Sequence, residues 1–220
     1  MCFSATASFT ASAVLVTIGV VAERRSATPA QRLLATIPFL FGLQQFTEGL
    51  LWIGLSHPGL DFFSKPAMYI FMIIAQVVWP ILIPLSLLLL EKNATRKKVL
   101  GIFLGAGIIA AAYLFYWIAF QQLTVNIECY HINYRQSLPD ITMKYGGIFY
   151  LSPIIIAPFF STIKGFRLFS IVILLSYAIA QFFYAEYLAS VWCFFAAIIS
   201  IIILMIIHGL NKVEAAGANR

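Results

Sequence analysis

Seven apolar stretches, none of them holding a Lys or an Arg, constrain what this chain can fold into more than any other feature. They cover residues 3–22, 33–55, 66–90, 99–120, 145–163, 168–184 and 187–208. Each is long enough, or nearly so, to cross about 30 Å of hydrocarbon at about 1.5 Å of helical rise per residue. The expected fold is therefore all-α, a polytopic bundle of seven transmembrane helices in a single domain over residues 1–220. Only Ala185 and Glu186 separate the last two stretches, so the alternative is six spans with one re-entrant or broken helix.

Composition excludes an ordinary soluble domain, in which about 25% of residues are charged. Here 10% are charged and 62% hydrophobic, and the mean hydropathy is +0.94. A net charge of +6 would suggest nucleic acid in a soluble protein, but all 14 Lys and Arg fall outside the apolar stretches. They read as topology signals, with the lipid bilayer as partner and no nucleic acid. No basic residue precedes the first stretch and Arg24 and Arg25 follow it, so it reads as a retained span rather than a cleaved signal.

The loops after spans one, three and five, with the C-terminal tail, hold Arg24, Arg25, Arg32, Lys92, Arg96, Lys97, Lys98, Lys164, Arg167, Lys212 and Arg220. The opposite side holds Lys65, Arg135 and Lys144. The positive-inside rule then puts the N-terminus outside and the C-terminus in the cytoplasm.

Within span two, FGLQQFTEGLLW places the carboxylate of Glu48 well inside an apolar run. An acid there costs roughly 2.5–3.5 kcal/mol on insertion scales, so it needs a partner or a hydrated cavity and marks a candidate site. Phe41, Gln45, Glu48 and Trp52 follow i, i+4, i+7, i+11, with Gln44 one turn before Glu48, and this stripe should face protein. Ser4, Ser8 and Ser12, Gly101 and Gly105, and Ser190, Cys193 and Ala197 read as close helix contacts. Trp79-Pro80 with Pro84, and Pro153 with Pro158, remove backbone donors and invite kinks. The outer loop, residues 121–144, contains IECYHINYR, which suits a short extended segment or a folded lid.

Polar groups converge on the outer side. An outward-facing pocket is expected from Glu48, Gln44, Gln45, Trp79, His131, Tyr134, Gln181 and Trp192. Three chemistries fit the cluster. Cys2, Glu48, His131 and Cys193 are ligand types for zinc or copper, although no C-x-x-C or H-x-x-x-H spacing supports them. A disulfide between Cys2 and Cys193 follows if spans one and seven are neighbours. Alternatively Glu48 is neutral or hydrogen-bonded, with Gln44, Gln45, Gln181 and a tyrosine as partners. An enzyme would need Cys2 or Ser4 in contact with His131 or Glu48. No span contains a Lys, and no G-x-S-x-G, H-E-x-x-H or phosphate-binding loop occurs.

The blocks MCFSATASF, LFGLQQFTEGLLW, WPILIPLSLLLLE, HINY and SVWCFFAA resemble those of an uncharacterised bacterial integral-membrane family. The resemblance spans most of the chain and implies that Cys2, Ser4, Gln44, Gln45, Glu48, Trp79, Pro80, His131, Tyr134, Trp192 and Cys193 occupy family motif positions. Cys129 belongs to no such block. The resemblance also implies a bacterial inner membrane, and it brings no reaction. A second likeness is to transporters of three-plus-one-plus-three repeats, where Gln45-Phe46 before Glu48 echoes Gln181-Phe182 before Glu186. The expected function is binding of a small ligand or metal ion, the alternatives being a small-solute or proton-coupled transporter or a membrane-embedded enzyme. Lipid-facing and subunit-facing positions look alike, so no oligomeric state is read.

Overall fold

Proline decides where this helical chain bends. The computed structural model describes the backbone of residues 4–128 and 130–218, and the side chains there except at 143–144, 193–194 and 214–218. Helix α1 (Ala5–Arg25) starts at Ser4, whose hydroxyl accepts from the Ala7 N–H at 3.2 Å, and α2 (Pro29–Ser56) starts at Thr28 with Pro29 in the first turn. Helices α3 (Ser64–Ile73) and α4 (Trp79–Leu90) form one rod interrupted by a π-turn at Ile74–Val78. The interruption has a local cause. Pro80 cannot donate to the Gln76 carbonyl, so the ladder loosens in the turn just before it.

Helix α5 (Ala94–Phe120) leads to an antiparallel hairpin, β1 (Leu123–Glu128) and β2 (His131–Gln136), with Glu128 opposite His131. Helix α6 (Asp140–Leu151) repeats the proline device, passing into a π-turn at Ser152–Ile156 over Pro153 and a 3₁₀ turn at Ala157–Phe160 over Pro158. The Phe149 carbonyl that Pro153 leaves free accepts from the Ser152 hydroxyl at 3.3 Å.

Helix α7 (Gly165–Tyr184) is followed by a tight turn at Ala185–Tyr187, the short α8 (Leu188–Phe194) and α9 (Ala196–Ala218). Trp192 Nε1 donates to Ser176 Oγ at 2.9 Å, and a side chain at Gly165 would meet Ile206. Sixteen residues of straight helix span about 24 Å, so the chain must reverse at 185–187 and run back along α7. The returning helix is broken at Phe195, between α8 and α9.

Among the described residues, five segments are long and apolar enough to cross a membrane: Ala5–Arg25, Asp61–Leu90, Ala94–Phe120, Gly165–Trp192 and Ala196–Val213, with a shorter apolar helix at Tyr145–Phe160. Helix α2 is missing from this set for a physical reason. Gln44, Gln45, Thr47 and Glu48 lower its hydropathy, and all four are buried by protein rather than offered to lipid. It is the central helix, in contact with α1, α3, α4, α8 and α9.

Helices α1 and α2 pair closely through small residues: Ser8, Ser12 and Gly19 are buried, and Ser12 Oγ donates to the Gly42 carbonyl at 2.8 Å. The expected close contact at Gly101 and Gly105 is not found, because both face open space. The close approach on α5 is at Gly107, where a methyl group would collide with the Pro80 carbonyl. One apolar cluster fills the basic half of the bundle, around Leu34, Leu87, Phe166, Phe169 and Ile203. A second, around Leu51, Phe71, Ile118 and Ile132, ties the hairpin onto the other end.

Candidate functional site

Both π-turns contribute to the wall of one cavity of about 1120 Å³, Ala75 and Gln76 from the first and Ile154 from the second. Tyr150 on α6 donates its hydroxyl to the Ala75 carbonyl in the α3–α4 turn, and Ala75, Gln76, Tyr150 and Ile154 all line the cavity. Without the prolines the two helices would close their ladders and lose this irregular wall.

Apart from the Glu186 carboxylate and two indoles, the polar groups of the described lining are amides and hydroxyls. Gln44 from α2 is 1% exposed, and among the described residues neither its Nε2 nor its Oε1 has a hydrogen-bond partner. Gln76 Nε2 donates to Gln136 Oε1 at 2.9 Å, which leaves Gln76 Oε1 and Gln136 Nε2 buried without a partner among the described residues. Each such orphaned group costs about 1–3 kcal/mol, so three carboxamides on one wall are an unusual concentration. Aromatic rings frame them: Phe41 lies 4.3 Å from Trp79 between ring centres, Tyr177 lies 5.4 Å from Trp192, and Phe71 behind the wall stacks on Tyr134 at 4.4 Å.

Of the residues expected to form a pocket, Gln44, Trp79, Tyr134, Gln181 and Trp192 line this cavity, whereas Gln45, Glu48 and His131 do not. Glu48 is fully buried behind the wall and joins two helices: it accepts from Gln45 Nε2 at 3.2 Å and from the hydroxyl of Ser190 on α8. It thus ties α2 to α8 through Ser190, which is next to cavity-lining Ala189, without itself lining this cavity. His131 stacks on Tyr187 with ring centres 4.6 Å apart. Cys2 lies outside the described residues, and Cys193 lies on α8 with its side chain outside them. Helices α1 and α9 are neighbours. Among the described residues no three His, Cys, Asp or Glu side chains cluster as metal ligands.

A second buried carboxylate, Glu91, sits at the far end of the bundle, 1% exposed. It accepts from the backbone N–H groups of Lys92 and Asn93 at 3.0 Å each, from the Thr162 N–H at 2.7 Å, and from the hydroxyls of Thr162 and Ser161 at 2.8 and 3.2 Å. Burial alone would push this carboxyl up; the hydrogen bonds from Asn93, Thr162 and Ser161 outweigh it and hold the group below its ordinary range.

Sequence reasoning missed Gln136, Tyr150 and Glu91. Gln136 shares the inward face of β2 with Ile132 and Tyr134, a period-two signal across the HINYRQ stretch. Tyr150 carried no signal until the π-turn brought it to Ala75. Glu91 sits at a span end, where a charge needs no explanation.

The fold and the site together define a helical protein with apolar helices long enough to cross a membrane, around a cavity walled by amides and aromatic rings. The chain belongs to a family of unknown function, DUF6629, whose family model matches residues 1–218. No curated protein and no solved structure matches it.

Proposed function

We propose that this is a seven-span protein of a bacterial inner membrane that binds a small uncharged ligand in the cavity between α2, α4, α5, α6, α7 and α8. The basic residues gather where α1, α4 and α9 end and where α2, α5 and α7 begin, which favours that end as cytoplasmic and the hairpin end as outer. One observation carries the binding reading. Gln44 is a buried carboxamide on the cavity wall with both polar atoms unpartnered among the described residues, a cost that a ligand would remove. The donor set argues for an organic ligand over a metal ion, since amides, phenols and indoles are poor competitors for zinc or copper beside thiolate and imidazole.

Native mass spectrometry of protein taken gently from its membrane tests this. Wild type should carry a non-covalent small molecule, and Ala110→Phe or Ala106→Phe, which fill the cavity from α5, should not. Retention of the same adduct by both filled variants, or its absence from wild type, would reject the site.

A further inference from the structure

The shape and chemistry of the cavity narrow the ligand class, on the premise that the cavity is the binding site. We infer that the occupant is a neutral lipid, a single acyl chain with an uncharged hydroxyl-bearing head as in a monoacylglycerol, and that it reaches the cavity sideways from the bilayer between α6 and α7.

Size is the first argument. A volume of about 1120 Å³ lies just above the range of roughly 300–1,000 Å³ for small-molecule sites. The lining is long as well as large: Gln181 and Phe169, both on its wall, are twelve residues apart on α7, about 18 Å along the helix. Its deep part is aliphatic and aromatic, with Ile37, Ile83, Ile154, Phe169, Ile173 and Ile199. That is a chain-shaped volume with a greasy floor.

Charge is the second. Among the described residues no Lys or Arg lines the cavity, and Glu186 is its one carboxylate. Against the described lining a phosphate or carboxylate head would meet amides and hydroxyls and no cation, which is strongly unfavourable. The groups present ask for a head that both donates and accepts: Gln44 offers both functions, Gln76 an acceptor and Gln136 a donor. A hydroxyl-bearing ester head supplies both.

Access is the third. The hairpin and the 185–187 turn roof the hairpin end through Tyr134, Gln136 and Tyr187. Helix α6 packs on α5 and on the turn that follows it. Cavity-lining Ile141 and Phe149, both on α6, are 71% and 67% exposed, so the wall runs continuously onto a surface of membrane character. A lipid can therefore enter without leaving hydrocarbon.

The test uses the full chain in nanodiscs and three probes: a monoacylglycerol with a dibrominated chain, a lysophosphatidate with the same chain, and free glycerol. Bromine quenches nearby indoles, and Trp79 and Trp192 line the cavity. The neutral probe should quench saturably, the anionic probe of equal chain should bind at least tenfold more weakly, and free glycerol, which carries no bromine, should fail to displace the neutral probe. Gln44→Leu should weaken the neutral probe by about tenfold, and Trp79→Phe with Trp192→Phe should remove the saturable part. Equal binding of neutral and anionic probes, quenching unaffected by Gln44→Leu, or displacement by glycerol would overturn the inference. The two readings separate cleanly. If a bound molecule is lost from the cavity-filled variants in native mass spectrometry while the monoacylglycerol fails to quench, the ligand class is wrong and the site stands. If both fail, the site falls with it.

Discussion

Two carboxylates, Glu48 and Glu91, are buried at opposite ends of this bundle to the same degree, and they are held in different ways. Glu91 closes a clasp: five N–H and O–H groups from two loops converge on it, tying the α4–α5 corner to the turn before α7. Glu48 holds α2 to α8 through side chains, with Gln45 and Ser190 as donors, near a cavity where both polar atoms of Gln44 and one each of Gln76 and Gln136 are unpartnered among the described residues. The clasp around Glu91 is saturated, and the amides of the cavity wall are not. A saturated polar knot fixes structure, whereas orphaned amides beside open volume mark a place held ready for something else.

The sharpest way to break the comparison is Glu91→Leu, which strands the Thr162 N–H and its neighbours. We expect a loss of about 3 kcal/mol in unfolding stability by denaturant titration in detergent. A loss below about 1 kcal/mol would mean the clasp is ornamental. The same group gives a pH signature. Its folded value lies below the ordinary one near 4.5, so its contribution is present in full above that range and is lost as pH falls toward the folded value. Wild type should lose stability on acidification below pH 4.5 by a component that Glu91→Gln lacks, and parallel curves would refute the assignment.

At the cavity end Ser190→Ala should cost about 2 kcal/mol, because it removes a donor from a buried carboxylate. If Glu48 mattered no more than a surface acid, the change would be nearly silent. Tyr150→Phe should cost about 1 kcal/mol by freeing the Ala75 carbonyl, read as a small shift in the unfolding midpoint.

Much of the architecture could be read ahead of the coordinates, because hydrocarbon leaves the backbone few options and prolines announce their own kinks. Trp79-Pro80 and Pro153 became the two π-turns, and the Ala185-Glu186 break became a reversal. The site was harder. Glu48 stood out since a charge in an apolar run has a large cost, yet that cost is met by Ser190, 142 residues away, and the acid ends up as a weld. Gln44, its quieter neighbour, reached the cavity instead. Gln76 and Gln136 meet across 60 residues, a pairing that no local pattern encodes. Gly101 and Gly105 had the spacing of a contact motif, but the contact formed at Gly107, since it depended on where the Pro80 carbonyl came to lie.

The most direct measurement follows from that unpartnered amide. Thermal unfolding of wild type and Gln44→Leu should be compared with and without 1-oleoylglycerol. Removing an orphaned buried carboxamide should leave the ligand-free variant as stable as wild type or more so, while the stabilisation that the lipid confers on wild type is largely lost. A ligand-free variant that is clearly weakened, with its response to the lipid intact, would contradict the account: Gln44 would then be a structural residue and the cavity merely a gap in the packing.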